Sequence, residues 1–138
     1  MSNCEQLKRL GCSSNKLTNL DLTNCQQLEY LNCSKNQLTQ LDLRKNKNLT
    51  ELWCQQNQLT QIIFPPQLPN LEKLVCYGNL LTYLNFAVLD GEKLTVLSLS
   101  NNNFALRDLS YLSRFTNLEE LHLSNRDWMK VRKGIYNR

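Results

Sequence analysis

A nine-residue pattern recurs along this chain at nearly constant spacing. The pattern is Leu-x-x-Leu-x-(Cys/Leu)-x-x-Asn, and successive copies start 21, 21, 22, 23 and 24 residues apart. The six copies begin at Leu7, Leu28, Leu49, Leu71, Leu94 and Leu118, and the last has Arg126 in place of the asparagine. A period in this range predicts a solenoid, because a unit this short can bury its apolar face only against neighbouring units.

The arrangement of each unit follows from the alternation of side chains along a strand. Leu10 and Cys12 are predicted to face the core of the first unit, and Gly11 between them is predicted to face outward. The asparagine falls where the chain must leave the strand, and its amide can bond backbone groups that water does not reach. We therefore expect a structural asparagine ladder made of Asn15, Asn36, Asn57, Asn79 and Asn102.

The pattern and its period resemble those of the leucine-rich repeat family. The short Leu-Thr-x-Leu-Asp-Leu stretch of the first two units resembles bacterial and fungal arrays, and the whole resemblance covers residues 7 to 123. It implies an α/β solenoid with a curved parallel sheet of about six strands on its concave face. It also implies a protein ligand bound on that face.

The domain organisation follows from the repeats. We expect a short N-terminal lead-in at 1–6, a solenoid at 7–125 and a basic tail at 126–138 that partly caps the core. The convex side is predicted to be mostly extended, because repeats this short leave little room for a helix. One convex helix is expected near 105–115, where apolar residues recur every third position. In the tail, Trp128, Val131 and Ile135 are spaced to share one helical face.

The distribution of the net charge of +4 along the chain argues against a nucleic-acid surface spread over the fold. Residues 126–138 contain five basic residues and one acidic residue, so they account for the whole excess. The body at 1–125 is therefore neutral, whereas a nucleic-acid-binding domain usually has a basic face. We predict neither a nucleic-acid partner nor a membrane partner.

The six cysteines do not have the spacing of a metal site. Cys12, Cys33, Cys54 and Cys76 occupy the inward position that Leu99 holds in a later unit, which favours small hydrophobes in the core. No Cys-x-x-Cys pair is present. The opening residues lack an apolar signal region, so we predict a cytoplasmic protein whose six cysteines are all reduced. Stacking could nevertheless bring equivalent cysteines within the ~4.4–6.8 Å Cα separation of a disulfide.

The sequence offers no constellation for catalysis. His122 is the only histidine, and the chain has four glycines, which form neither a phosphate-binding loop nor a dinucleotide fingerprint. We therefore predict that the protein is not an enzyme and holds no cofactor or metal.

The candidate ligand-binding residues are the outward side chains of the strands. Tyr30, Trp53, Val75 and Tyr77 come from three neighbouring units, and Glu51 and Lys73 flank them. Exposed tryptophan and tyrosine are typical of binding hot spots, although cross-strand packing alone also places aromatic residues on a sheet. The functional hypothesis is non-catalytic protein recognition. Its rival is an assembly unit in which uncapped solenoid ends join copies into a homo-oligomer.

Overall fold

The structure, a computed structural model, describes residues 4–104, 110–123 and 128–130. The strands are β1 (Arg9–Gly11), β2 (Tyr30–Asn32), β3 (Gln40–Asp42), β4 (Glu51–Trp53), β5 (Gln61–Ile63), β6 (Lys73–Val75), β7 (Val96–Ser98), β8 (Glu120–His122) and β9 (Trp128–Lys130). Two short 3-10 helices lie at Phe86–Val88 and Ser110–Arg114.

The main sheet has seven strands in the order β1-β2-β4-β6-β7-β8-β9. The first six are parallel, and equivalent positions of the repeat pair directly, as Leu10 does with Leu31 and Leu31 with Leu52. Because one repeat separates each strand from the next, the main-sheet strands stack in chain order. The prediction of a parallel-sheet solenoid with about six repeat strands is confirmed.

We call the part of the solenoid where each repeat runs back to the next main-sheet strand the return side. It contains a small parallel sheet, formed by β3 and β5. The described residues contain strands and two short 3-10 helices but no α-helix, so this part of the chain is a β-solenoid and the predicted α/β class finds no support there. Of the helix predicted at 105–115, residues 110–114 form a 3-10 helix that buries Leu112, next to the buried Phe115. Residues 105–109 lie outside the described residues.

The strand β9 runs antiparallel to β8, with Leu121 opposite Met129. The helical face predicted from Trp128 is therefore wrong at 128–130, and Val131 and Ile135 lie outside the described residues. The reason is that β8 has a free edge, and its unpaired backbone groups are satisfied by a strand whereas a helix would leave them unbonded. The hairpin occupies the edge at which a further parallel repeat would pair.

The core is a set of stacked leucines and cysteines. Leu31, Leu52, Leu74 and Leu97 are fully buried. In the first unit, Leu10 and its apolar neighbours are only partly buried, because among the described residues this unit has a neighbouring repeat on one side only. The N-terminal end of the array is thus less tightly packed than its middle.

The asparagines form hydrogen bonds both within their own repeat and to the preceding one. The Asn57 Oδ1 accepts the Leu38 N–H at 3.0 Å, and its Nδ2 donates to the carbonyl oxygens of Cys33 at 3.0 Å and Cys54 at 3.2 Å. Asn36, Asn79 and Asn102 repeat this set of contacts. Asn15, in the first unit, is exposed, and within the described residues it bonds only carbonyls of its own repeat. Each ladder asparagine from Asn36 onward therefore joins two repeats.

The residue before each ladder asparagine turns the chain with a positive φ. Ser14, Lys35, Gln56 and Asn101 adopt φ of 54° to 58°, and Gly78 adopts 69°. A side chain in this region costs ~1–2 kcal/mol, which glycine avoids. The turn that starts each return is thus set by repeat position even where the residue is not glycine.

Replacing Gly78 should therefore destabilise the protein. We expect Gly78→Ala to lower the free energy of unfolding by about 1 kcal/mol, because alanine is strained at this φ and its Cβ would lie 3.3 Å from the Gln56 Cγ. The matched control is Gly11→Ala, where nothing lies within 4 Å of the added Cβ. Urea unfolding of both variants tests this, and equal stabilities would contradict the strain.

Cys4 and Cys25 form a disulfide, which overturns the prediction of six reduced thiols. The two residues are one repeat apart, and stacking brings their Cα atoms to 5.1 Å, inside the range that a disulfide spans. Cys12, Cys33, Cys54 and Cys76 are free thiols, as predicted for the core column.

Burial protects most of the free thiols. It raises the pKa of Cys33 and of Cys76 to about 12, and that of Cys54 well above its usual value. The pKa of the half-buried Cys12 is also raised by burial. Since the thiolate is the nucleophile, the three buried cysteines should be inert in the native protein.

A thiol titration tests the disulfide between Cys4 and Cys25. We expect four thiols in the denatured, non-reduced chain and six after reduction, because only Cys4 and Cys25 are paired. In the native protein, alkylation should reach Cys12 first because it is the only partly exposed free thiol among the described residues. A count of six before reduction would contradict the disulfide.

Candidate functional site

The outward side chains of the main sheet form three columns that run across the repeats. The register places Tyr30 beside Glu51 and Glu51 beside Lys73 in the first column. In the second column it places Trp53 beside Val75. We call the surface formed by these columns the outward sheet face.

The aromatic residues lie on a diagonal of this face. Each step from Tyr30 to Trp53, and from Trp53 to Tyr77, crosses one strand and two residues, a separation of roughly 8 Å between Cα atoms. All three side chains are partly exposed. The structure thus brings the predicted aromatic residues onto one surface, near enough for a single partner to contact all three.

Trp53 is held in place by its neighbour in the same strand. Its indole Nε1–H donates to the Glu51 Oε1 at 3.0 Å. A side chain that is already fixed loses little conformational entropy when a partner covers it. Glu51, predicted as a flanking contact, thus holds the indole of Trp53 in position.

Val75 does not offer the contact surface predicted for it. Its side chain points to the outward face but is only 4% exposed, and Ser98 in the next strand is similarly buried at 5%. Val75 lies directly between Trp53 and Ser98 in the register. Val75 therefore lies beside Trp53 on this face but offers almost no surface to a partner.

Two contacts were not foreseen from the repeat pattern. The Arg9 guanidinium carbon lies 4.2 Å from the centre of the Tyr30 ring, a cation–π contact that orients the tyrosine. The Asn32 Oδ1 accepts both the backbone N–H and the hydroxyl of Ser34, at 3.1 and 2.7 Å. Neither contact could be read from spacing alone, because both depend on rotamers across or along strands.

The charges on this face are mixed in sign. Arg9 and Lys73 alternate with Glu51 and Glu120 along the first column. The His122 Nε2 lies 3.7 Å from the Glu120 Oε2. Among the described residues, no cluster of three or more histidine, cysteine or acidic side chains is placed to hold a metal. The described part of the chain also contains no helix long and apolar enough to cross a bilayer.

Family models match most of the chain. A model of two leucine-rich repeats matches residues 5–45 and 47–88, and a single leucine-rich repeat matches residues 93–115. The chain belongs to the leucine-rich repeat family. The resemblance inferred from the nonapeptide is thereby confirmed.

Solved structures of leucine-rich repeat proteins are similar to this chain. An LRR protein of Leptospira interrogans is 27% identical with a TM-score of 0.58, and the match covers 86% of this chain and 37% of that one. The functional domain of InlJ from Listeria monocytogenes, described as including a cysteine ladder, is 22% identical with a TM-score of 0.34, over 96% and 47% of the two chains. This chain therefore spans less than half the length of either. No curated protein matches its sequence.

Leucine-rich repeat proteins are in general protein-interaction modules and in general not catalytic.

Proposed function

We propose that this protein recognises another protein through the outward sheet face, with Trp53 as the central contact and Tyr30 and Tyr77 on either side. The observation that carries the proposal is the partly exposed indole held by Glu51. Fixed aromatic side chains provide a large contact area at low entropic cost, and such residues dominate binding energies at protein interfaces.

The charge pattern supports a protein partner over a nucleic acid. Nucleic-acid surfaces are predominantly basic because they neutralise phosphates. On this face Arg9 and Lys73 are offset by Glu51 and Glu120. Alternating charges around an apolar centre are typical of a polar rim that selects a partner by complementarity.

The rival hypothesis, head-to-tail stacking of copies, has less support. Such stacking would pair β1 of one copy with a free edge of β8 in the next. In this structure β9 already pairs with β8 in the antiparallel direction. The hairpin would have to be displaced before copies could join in this way.

Site-specific photo-cross-linking tests the proposed face and identifies the partner. A photoreactive amino acid replaces Lys73, on the outward sheet face, or Lys16, an exposed residue of the return side as control. In an extract of the source organism, we expect a discrete protein adduct from position 73 and none of the same mass from position 16. Identical adducts from both positions, or none from position 73, would count against the proposal.

A further inference from the structure

The seam between the third and fourth repeats opens on the return side. On this side, backbone hydrogen bonds join the two repeats before and after the opening. The Leu80 N–H donates to the Leu59 carbonyl at 2.8 Å, and the Leu68 N–H donates to the Val88 carbonyl at 3.0 Å. Between these points, among the described residues, no hydrogen bond joins 60–64 to 81–85. A groove of about 470 Å³ lies there, which we call the seam groove.

One wall of the seam groove is β5, the outer strand of the small sheet. Its other edge pairs with β3, where the Leu43 N–H donates to the Ile63 carbonyl at 2.8 Å. Consecutive residues of a strand direct their backbone groups to opposite edges, so the N–H and C=O of Ile62 point away from β3 and toward the groove. Within the described residues these two groups have no hydrogen-bond partner. An unpaired strand edge is a template for an added strand.

The opposite wall of the seam groove carries an exposed aromatic side chain. Tyr83, which lines the groove, is 70% exposed and is the most exposed large hydrophobic side chain among the described residues. Ile63 lines the groove from β5 and is half-buried. An added strand would cover both with its alternate side chains, which removes apolar surface from water.

A positive charge lies at the carboxyl end of β5. A second groove of about 630 Å³ shares Phe64 and Asn85 with the seam groove and is lined by Arg44 and Lys45. Arg44 is paired with Asp42, with 2.8 Å between Nη2 and Oδ2. In the part of the chain that the structure describes, no carboxylate pairs with the exposed Lys45. The site therefore favours a negative charge beyond the end of β5.

We propose that the seam groove binds an extended peptide segment of a partner protein, which adds to β5 as the third strand of the β3–β5 sheet. The peptide runs parallel to β5, like the paired strands of the repeats, so its carboxyl end reaches Lys45 and presents a carboxylate there. The Ile62 backbone supplies the hydrogen bonds, Tyr83 and Ile63 the apolar contact, and Lys45 the preference for an acidic end. This site is separate from the outward sheet face and does not depend on its function.

Backbone hydrogen exchange followed by NMR tests this proposal. The probe is the acetylated peptide Thr-Val-Thr-Val-Thr with a free carboxyl end, since alternating β-branched residues favour a strand. In the free protein, the Ile62 amide should exchange faster than that of Ile63, whose N–H faces β3. At millimolar concentration the peptide should slow Ile62 exchange, by roughly tenfold once the site is about nine-tenths occupied.

Matched variants separate this site from others. Tyr83→Ala and Lys45→Gln should each lower the affinity for the peptide, and the loss for Lys45→Gln should be about fivefold. Amidation of the peptide's carboxyl end should lower the affinity by the same factor as Lys45→Gln. Trp53→Ala should leave peptide affinity unchanged. Unaltered Ile62 exchange at millimolar peptide, or equal affinities for the acid and amide peptides, would overturn the proposal.

Discussion

Asn57→Ala should lower the free energy of unfolding by about 3 kcal/mol. The substitution leaves the Leu38 N–H without its acceptor. It also removes one of two amide donors from the carbonyls of Cys33 and Cys54, which keep the bonds from Asn36 and Asn79. The unpaired N–H costs ~1–3 kcal/mol and each lost hydrogen bond to a carbonyl ~0.5–1.5 kcal/mol, and partial relaxation keeps the total below the sum. Asn57 is 8% exposed, so water cannot easily replace the lost amide.

Two other asparagines serve as graded controls for this prediction. Asn102 makes the same type of contacts but is half-buried, so Asn102→Ala should cost less than Asn57→Ala. Asn15 is exposed and bonds only its own repeat, so Asn15→Ala should cost about 0.5 kcal/mol. Urea unfolding of the three variants gives the order directly. Equal losses would mean that the ladder does not join the repeats.

The ladder and the parallel sheet were predictable because both repeat. A position that recurs five times, as the ladder asparagine does, reports a shared environment, and its spacing fixes the register of β1 with β2. The inward placement of Cys33, Cys54 and Cys76 followed from the same alternation. Periodicity thus determined which side of the sheet each residue faces.

Features that occur once, or that depend on distance between repeats, were not predictable in this way. The disulfide joins Cys4 to Cys25, which are 21 residues apart in sequence, and only stacking shows that they meet. The strand at Trp128–Lys130 lies outside the repeat pattern. It runs antiparallel because only five residues separate it from β8 in sequence, too few for the crossover that a parallel strand needs. The β3–β5 sheet forms because the return segments of two consecutive repeats both have extended backbone in matching register. The spacing of the repeat does not reveal this.

The candidate site was predicted to the level of the face but not of the individual contact. Alternation placed Tyr30 and Trp53 outward, and the structure agrees. It placed Val75 outward as well, but exposure depends on the size of neighbouring side chains, and Val75, beside Trp53 in the register, is buried. Hydrogen bonds such as that from Trp53 to Glu51 depend on rotamers that a repeat pattern does not specify.

Trp53→Ala should weaken binding of the protein partner by about 30-fold, or ~2 kcal/mol, while the protein stays folded. The loss follows from removing the central contact of the outward sheet face. Stability should fall by no more than about 1 kcal/mol, because the indole is only partly buried and its hydrogen bond joins two residues of the surface. A large drop in stability would instead assign Trp53 to the core.

Comparison of Glu51→Gln with Glu51→Ala tests whether Glu51 acts by holding the Trp53 indole in position. A glutamine retains an amide oxygen that can accept the indole N–H of Trp53, so this variant should lose much less affinity than Glu51→Ala. Circular dichroism confirms that each variant is folded before its affinity is compared. Equal losses in the two variants would mean that Glu51 acts through its charge and not by holding the indole.

Titration of the cross-linked partner, once purified, against the parent protein, Trp53→Ala and Leu80→Ala tests the central claim most directly. Leu80 is the control, because it is a large apolar residue, 49% exposed, that lies on the return side and not on the outward sheet face. We expect the Kd to rise about 30-fold for Trp53→Ala and to change less than about twofold for Leu80→Ala. An unchanged Kd for Trp53→Ala would contradict recognition through the outward sheet face.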